Sequence, residues 1–157
     1  MTVGPGSSQI GFENAFRRAC EAGNALEVES ELSNAMHHHY RLFERCWTVV
    51  EGRHPGATKE EMYTVHLGAV PTARAVAWVR QFDVHETVEF MEFADVYPGN
   101  YHTDIYGTLL WKPRATFHYP TTDKDKFGFT RVYDQQLAGQ LVLDTVRHGF
   151  DELLALL

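Results

Sequence analysis

The sequence predicts an α+β fold: an antiparallel sheet of about five strands, with two N-terminal helices and one long C-terminal helix packed mainly on one face. Three observations predict it. Apolar residues recur every three or four positions from Phe12 to Val50. They alternate with a period of two across much of the stretch from Tyr63 to Tyr133. Helical spacing then returns from Ala138 to Leu154.

The first two elements are helices. Val3-Gly4-Pro5-Gly6-Ser7-Ser8 is flexible by composition, so residues 1–9 are assigned to a tail and residues 10–157 to one α+β domain. Phe12, Ala15, Phe16, Ala19 and Cys20 form one apolar stripe on a short helix that Gly23 ends. Asn24 followed by Glu27 has capping-box spacing, so a second helix starts near Ala25 and runs to Gly52. Its seam is Leu32, Met36, His39, Phe43, Cys46 and Val50, with heptad-like steps. A helix of this length reaches roughly 40 Å at about 1.5 Å per residue. It either lies across a sheet or lends part of its seam to another subunit.

The middle reads as β. Tyr63, Val65, Leu67 and Ala69 alternate with polar or small residues, and residues 73–82 and 86–96 continue the alternation. A two-residue turn at Val84-His85 sets Arg80 opposite Glu89, Trp78 opposite Met91, Val76 opposite Phe93 and Arg74 opposite Asp95. The other face then carries Ala73, Ala75, Ala77 and Val79, small enough for helices to approach closely. Pairing the first strand through Val70-Pro71 brings His66 beside Val76. His66, Arg74, Trp78, Arg80, Glu89, Met91 and Phe93 are thereby gathered on one sheet face.

Tyr97-Pro98-Gly99-Asn100 is a turn by composition. A strand from Asp104 to Trp111 stops or bulges at Pro113, which cannot donate to a ladder. Arg114 to Tyr119 and Phe127 to Tyr133 complete the strands around a polar loop at residues 123–126. Asp134 then caps the final helix. The chain ends Leu-Leu-Ala-Leu-Leu, and so apolar a terminus should dock on something, in cis or on a neighbour.

Composition narrows the function classes. The formal charge of −7 lies wholly in residues 1–104, while the last 53 residues are neutral. A protein that tracks phosphates needs a basic face, so nucleic acid is not expected as a partner. No apolar run approaches a membrane span, and no secretory leader pattern opens the chain, so no membrane partner is expected. Two cysteines make no disulfide framework, which points to a reducing, cytoplasmic compartment.

Nine histidines suggest metal or acid–base chemistry, but their spacing disperses them. His37, His38 and His39 are consecutive, so on a helix they point about 100° apart and cannot share one ion. His102 and Asp104 share a face if extended, and His118 could join them from a neighbouring strand. The pattern is short, and neither a metal nor a cofactor is assigned. Cys20 and Cys46 read as core cysteines. No Gly-x-Ser-x-Gly, Walker A, Gly-x-Gly-x-x-Gly or His-Glu-x-x-His motif occurs.

Two function classes follow. The leading expectation is a non-enzymatic interaction or assembly protein that binds a protein partner or self-associates. The long seam, the apolar C-terminus and a face mixing aromatics with arginine motivate it. A viral or phage assembly component, or an acidic inhibitor or immunity protein, has this profile. Arg74, Trp78, Met91, Phe93 and His39 would be its binding residues. The alternative is a small-molecule-binding protein or enzyme of isomerase, cyclase or dehydratase type. There His66 would be the general base, Glu89 its orienter, and Arg74 or Arg80 the anion binder. The competing reading of this cluster is a half-exposed sheet face laced with cross-strand ion pairs.

Overall fold

Helical geometry extends well beyond the two ends of the chain. A computed structural model describes residues 6–81, 90–93, 109–114 and 127–157. Among them are six α-helices and one two-stranded antiparallel sheet. The helices are α1 (Gly6–Glu21), α2 (Ala25–Arg53), α3 (Lys59–Glu61), α4 (Pro71–Arg80), α5 (Phe129–Gln136) and α6 (Val142–Leu156). A π-helical turn, Met62–His66, continues α3. The strands are β1 (Met91–Phe93) and β2 (Leu109–Trp111). The expected five-stranded sheet covered on one face is therefore incorrect, and the fold is predominantly helical.

The first two helices form for the reasons read from the sequence. The Asn24 side chain accepts the Glu27 backbone N–H at 2.9 Å, and Glu27 accepts that of Gly23. Two orphan donors at the start of α2 are thus satisfied. Helix α1 begins at Gly6, within the stretch assigned to the tail. All six seam residues of α2 are buried, and Val28, Ala35 and Leu42 are buried with them. Helices α1, α4 and α6 all pack on α2, so partners within the chain cover the seam.

Residues 63–69 and 73–82 contain the largest correction. Thr58 caps α3, accepting the Glu61 N–H while the Glu61 carboxylate accepts that of Thr58. This capping box starts a helix where alternation suggested a strand. Helix α4 then begins with Pro71 at its first turn, where the missing N–H costs nothing. Every residue from Thr72 to Val79 is buried, and α4 is packed by α2, α5 and α6. Because α4 is enclosed on all sides, even its polar residues Thr72 and Arg74 are buried, and no solvent-facing polar side marks it as a helix. Alanine is also the best helix former. Ala73, Ala75 and Ala77 do allow close approach, as expected of them, but from within a helix. Gly149 of α6 crosses at Ala73, where an added Cβ would sit 3.0 Å from the Ala73 Cα.

The sheet is small. Met91 pairs with Trp111, Glu92 with Leu110 and Phe93 with Leu109. The expected partners of Met91 and Phe93, Trp78 and Val76, lie instead in α4. The expected 86–96 and 104–111 strands survive here as 91–93 and 109–111, and their remainder lies outside the described residues. So does most of the expected 114–119 strand. Phe129–Gln136 is helical, with Asp134 inside it rather than capping the last helix. Gly139, at φ +75°, separates α5 from α6. The link between these helices bonds back to β2: Trp111 donates to the Gln140 carbonyl and Gly139 to that of Trp111. Trp111 Nε1 also donates to Thr145 Oγ1 of α6 at 2.6 Å.

The leucine-rich end docks in cis. Leu153 is fully buried, and Leu154 and Leu156 pack against the core. Phe150 stacks on Phe12 of α1 with ring centroids 3.7 Å apart. Among the described residues, no helix is long and apolar enough to cross a membrane.

Candidate functional site

The residues expected on one sheet face are distributed over several places. His66 ends the π-helical turn, and its ring stacks on His54 at 3.7 Å. The pair lines a shallow cleft of 430 Å³ with Pro55, Glu61 and Val65. Arg80 lines a different depression, and Glu89 lies outside the described residues. Trp78 is a core residue, edge-on to Phe90 and Tyr133 and stacked with Phe129. Met91 and Phe93 are half-buried on β1. The described residues therefore do not bring His66 together with Arg80 as the base and the anion binder.

His39 is fully buried, and neither ring nitrogen has a hydrogen-bond partner among the described residues. It faces Phe150 and the Gly149 crossing. Burial pulls its pKa down to about 3, so the ring is neutral. The neighbouring histidines diverge as helix geometry requires. His38 packs over Gly11 of α1, where any Cβ would collide with its ring. His37 is exposed. Among the described residues, no three His, Cys, Asp or Glu side chains converge as a metal site. The candidate ligands His102, Asp104 and His118 lie outside the described residues.

Arg74 was expected on the sheet face and is instead buried under aromatic rings, only 6% exposed. Its guanidinium carbon lies 5.8 Å from the Tyr63 ring centroid and 5.5 Å from that of Phe129. One Nη donates to the Phe127 carbonyl at 2.7 Å, while Nε has no partner. No carboxylate pairs with it among the described residues. Burial lowers its pKa and Tyr63 opposes that. The charge is held mainly by ring faces and one carbonyl.

The most developed surface feature is a groove between α2 and the C-terminal end of α4. One part, of 520 Å³, is lined by His37, Tyr40, Arg41, Glu44, Arg80 and Gln81. An adjoining part, of 360 Å³, shares Tyr40, Glu44 and Gln81 and adds Phe43, Trp47, Thr48, Lys59 and Tyr63. Trp47 and Tyr63 contact each other at 4.7 Å. Burial pushes the Tyr40 phenol up, with Glu44 reinforcing and Arg80 opposing. Burial also pushes up the Tyr63 phenol, against which its bond with Gln81 acts most strongly. Arg41, Lys59 and Arg80 form no ion pair among the described residues. Among the described residues, the lining therefore carries three fixed cations and the carboxylate of Glu44, on a chain whose formal charge is −7.

Arg80 is the one candidate site residue from the sequence that lines this groove. The others were missed, although part of the signal is local. His37, Arg41, Glu44 and Thr48 follow i, i+4, i+7, i+11 spacing, and Tyr40, Glu44 and Trp47 follow i, i+4, i+7. Both rows lie beside the buried seam of α2. Their union with Arg80, Lys59 and Tyr63 depends on how α3 and α4 pack. No family model, curated protein or solved structure matches this chain.

Proposed function

We propose that the chain is a protein-interaction module that docks a partner in the groove between α2 and α4. The observation that carries this reading is the concentration, in one depression, of half-exposed aromatic rings and of cations that form no ion pair among the described residues. Tyr40, Trp47, Arg41 and Arg80 are of the residue types that dominate binding energy at protein interfaces. The two features that suggested self-association are used within the chain: the α2 seam and the C-terminal leucines. Among the described residues, the groove is the surface on which this proposal places the partner. An assembly component, or an inhibitor that occupies another protein, fits such a module. A reducing cytoplasmic setting belongs to the same proposal, since Cys20 and Cys46 are both free thiols.

The test is native mass spectrometry of the chain recovered from the cells that make it, beside Tyr40→Ala and Trp47→Ala. Each substitution should remove a stoichiometric protein partner while circular dichroism shows the variant still folded, since both rings also pack on the core and their loss lowers the unfolding midpoint. A chain recovered alone, or a partner retained by both variants, would overturn the reading.

A further inference from the structure

We infer that the groove accepts an acidic, aromatic- or leucine-bearing peptide segment of its partner; this rests on the interaction reading above. The argument begins with charge. The molecule as a whole is acidic, yet Arg41, Lys59 and Arg80 rim one groove without ion-pair partners among the described residues. A charged side chain held beside low-dielectric ring surface interacts more strongly with an arriving opposite charge than one in open water. The Arg80 Nε is buried without an acceptor among the described residues, so its guanidinium charge is not offset there by a hydrogen bond. Beneath the floor, the buried Arg74 guanidinium adds positive charge that no described carboxylate offsets.

Shape and the rest of the lining then select among anions. Glu44 sits between the two parts of the groove and repels a continuous run of phosphates. The excess negative charge elsewhere also disfavours a polyanion. A peptide differs because its carboxylates are spaced and separated by apolar side chains. Carboxylates can meet Arg41, Lys59 and Arg80, while rings or leucines lie on Tyr40 and Trp47. From His37 to Thr48 the α2 wall is roughly 16 Å long at about 1.5 Å per residue. That length accommodates about five residues of extended chain.

The experiment uses the full chain labelled for amide NMR and three synthetic peptides of about ten residues, long enough to overfill the groove. One alternates glutamate with leucine and tyrosine. In the second glutamine replaces glutamate, and in the third lysine does. The glutamate peptide should shift the amides of residues 37–48 and of Arg80. Arg41→Glu combined with Lys59→Glu should weaken its binding by about tenfold or more. Both positions are exposed, so the double variant should keep its unfolding midpoint. Added salt should weaken binding of the glutamate peptide as well.

If the glutamine or lysine peptide shifts the same amides as strongly, the acidic-segment inference falls and the interaction reading stands. If no peptide moves those amides, the inference also falls. The interaction reading falls separately, if the chain is recovered alone or the native partner survives both Tyr40→Ala and Trp47→Ala.

Discussion

A neutral imidazole sealed against Phe150 and Gly149 makes His39 the residue whose chemistry most affects stability. Both of its nitrogens lost water on folding without gaining a partner. Its pKa in the folded chain is about 3, against an ordinary value of 6.5 in the unfolded chain. As pH falls below 6.5 the unfolded chain binds a proton that the folded chain refuses. The folded state therefore keeps its full stability above pH 6.5 and loses it progressively down to about pH 3. The loss is of the order of several kcal/mol, because each pKa unit is worth about 1.4 kcal/mol. Replacing His39 by Leu should leave stability at pH 7 within about 1.5 kcal/mol of the parent chain. Between pH 6.5 and 3 it should remove most of the decline. Urea titrations across that window measure both effects. A parent and variant with parallel pH profiles would show that His39 is not the group responsible.

At the scale of elements, the N-terminus of α4 shows how one helix completes another. Its N-cap position is Val70, which has no side-chain oxygen to offer. Glu152 of α6 supplies the missing acceptor, taking the Ala73 N–H at 2.9 Å. Its other oxygen faces His148 at 3.3 Å. Burial raises the Glu152 carboxyl despite this N–H bond, so the group acts chiefly as an acceptor aimed at a buried helix end. Glu152→Ala should cost about 1–2 kcal/mol by leaving that donor unsatisfied. Glu152→Gln, which keeps an acceptor, should cost less than about 1 kcal/mol. Thermal unfolding of the pair checks this, and equal losses would point to packing rather than capping.

The same element explains what the sequence concealed. Helix α2 was legible because its cap and one-sided seam are local: Asn24, Glu27 and a stripe facing neighbours on one side. The Thr58–Glu61 spacing is an equally local signal, but the stretch that follows it, Tyr63 to Ala69, alternates as a strand does. Helix α4 offers no stripe because it is enclosed, and its alternating Ala, Val and Trp satisfy a strand pattern equally well. The proline at its first turn and its alanine content were the available signs of a helix. The groove was illegible for another reason. Its α2 wall has a visible spacing, but its opposite wall comes from Lys59, Tyr63, Arg80 and Gln81, beyond the end of α2.

For the whole molecule, the described helices cover most of their apolar surface within the chain, while Ile10, Leu26 and Val65 stay exposed. The α2 seam packs under α1, α4 and α6, and Leu153 is enclosed. We therefore expect core stability not to depend on a second copy of the chain. The unfolding midpoint should be independent of protein concentration across about two orders of magnitude, as calorimetry or circular dichroism can measure. A midpoint that rises with concentration would mean that another protomer covers part of this structure.

The sequence by itself determined the N-terminal helices, the amphipathic C-terminal helix, and strand character at 91–93 and 109–111. Each depends on neighbours in the chain: a cap, an apolar period or β-forming side chains. It also determined the acidic balance and the dispersal of three consecutive histidines, which follows from helix geometry alone. Tertiary structure decided that residues 71–80 form a central helix, that Arg74 lies under aromatic rings, and that Arg80 joins Tyr40 and Trp47 in one groove. Those outcomes depend on burial from several sides at once. A local pattern registers one-sided burial, whereas enclosure erases the pattern and leaves packing to choose the conformation.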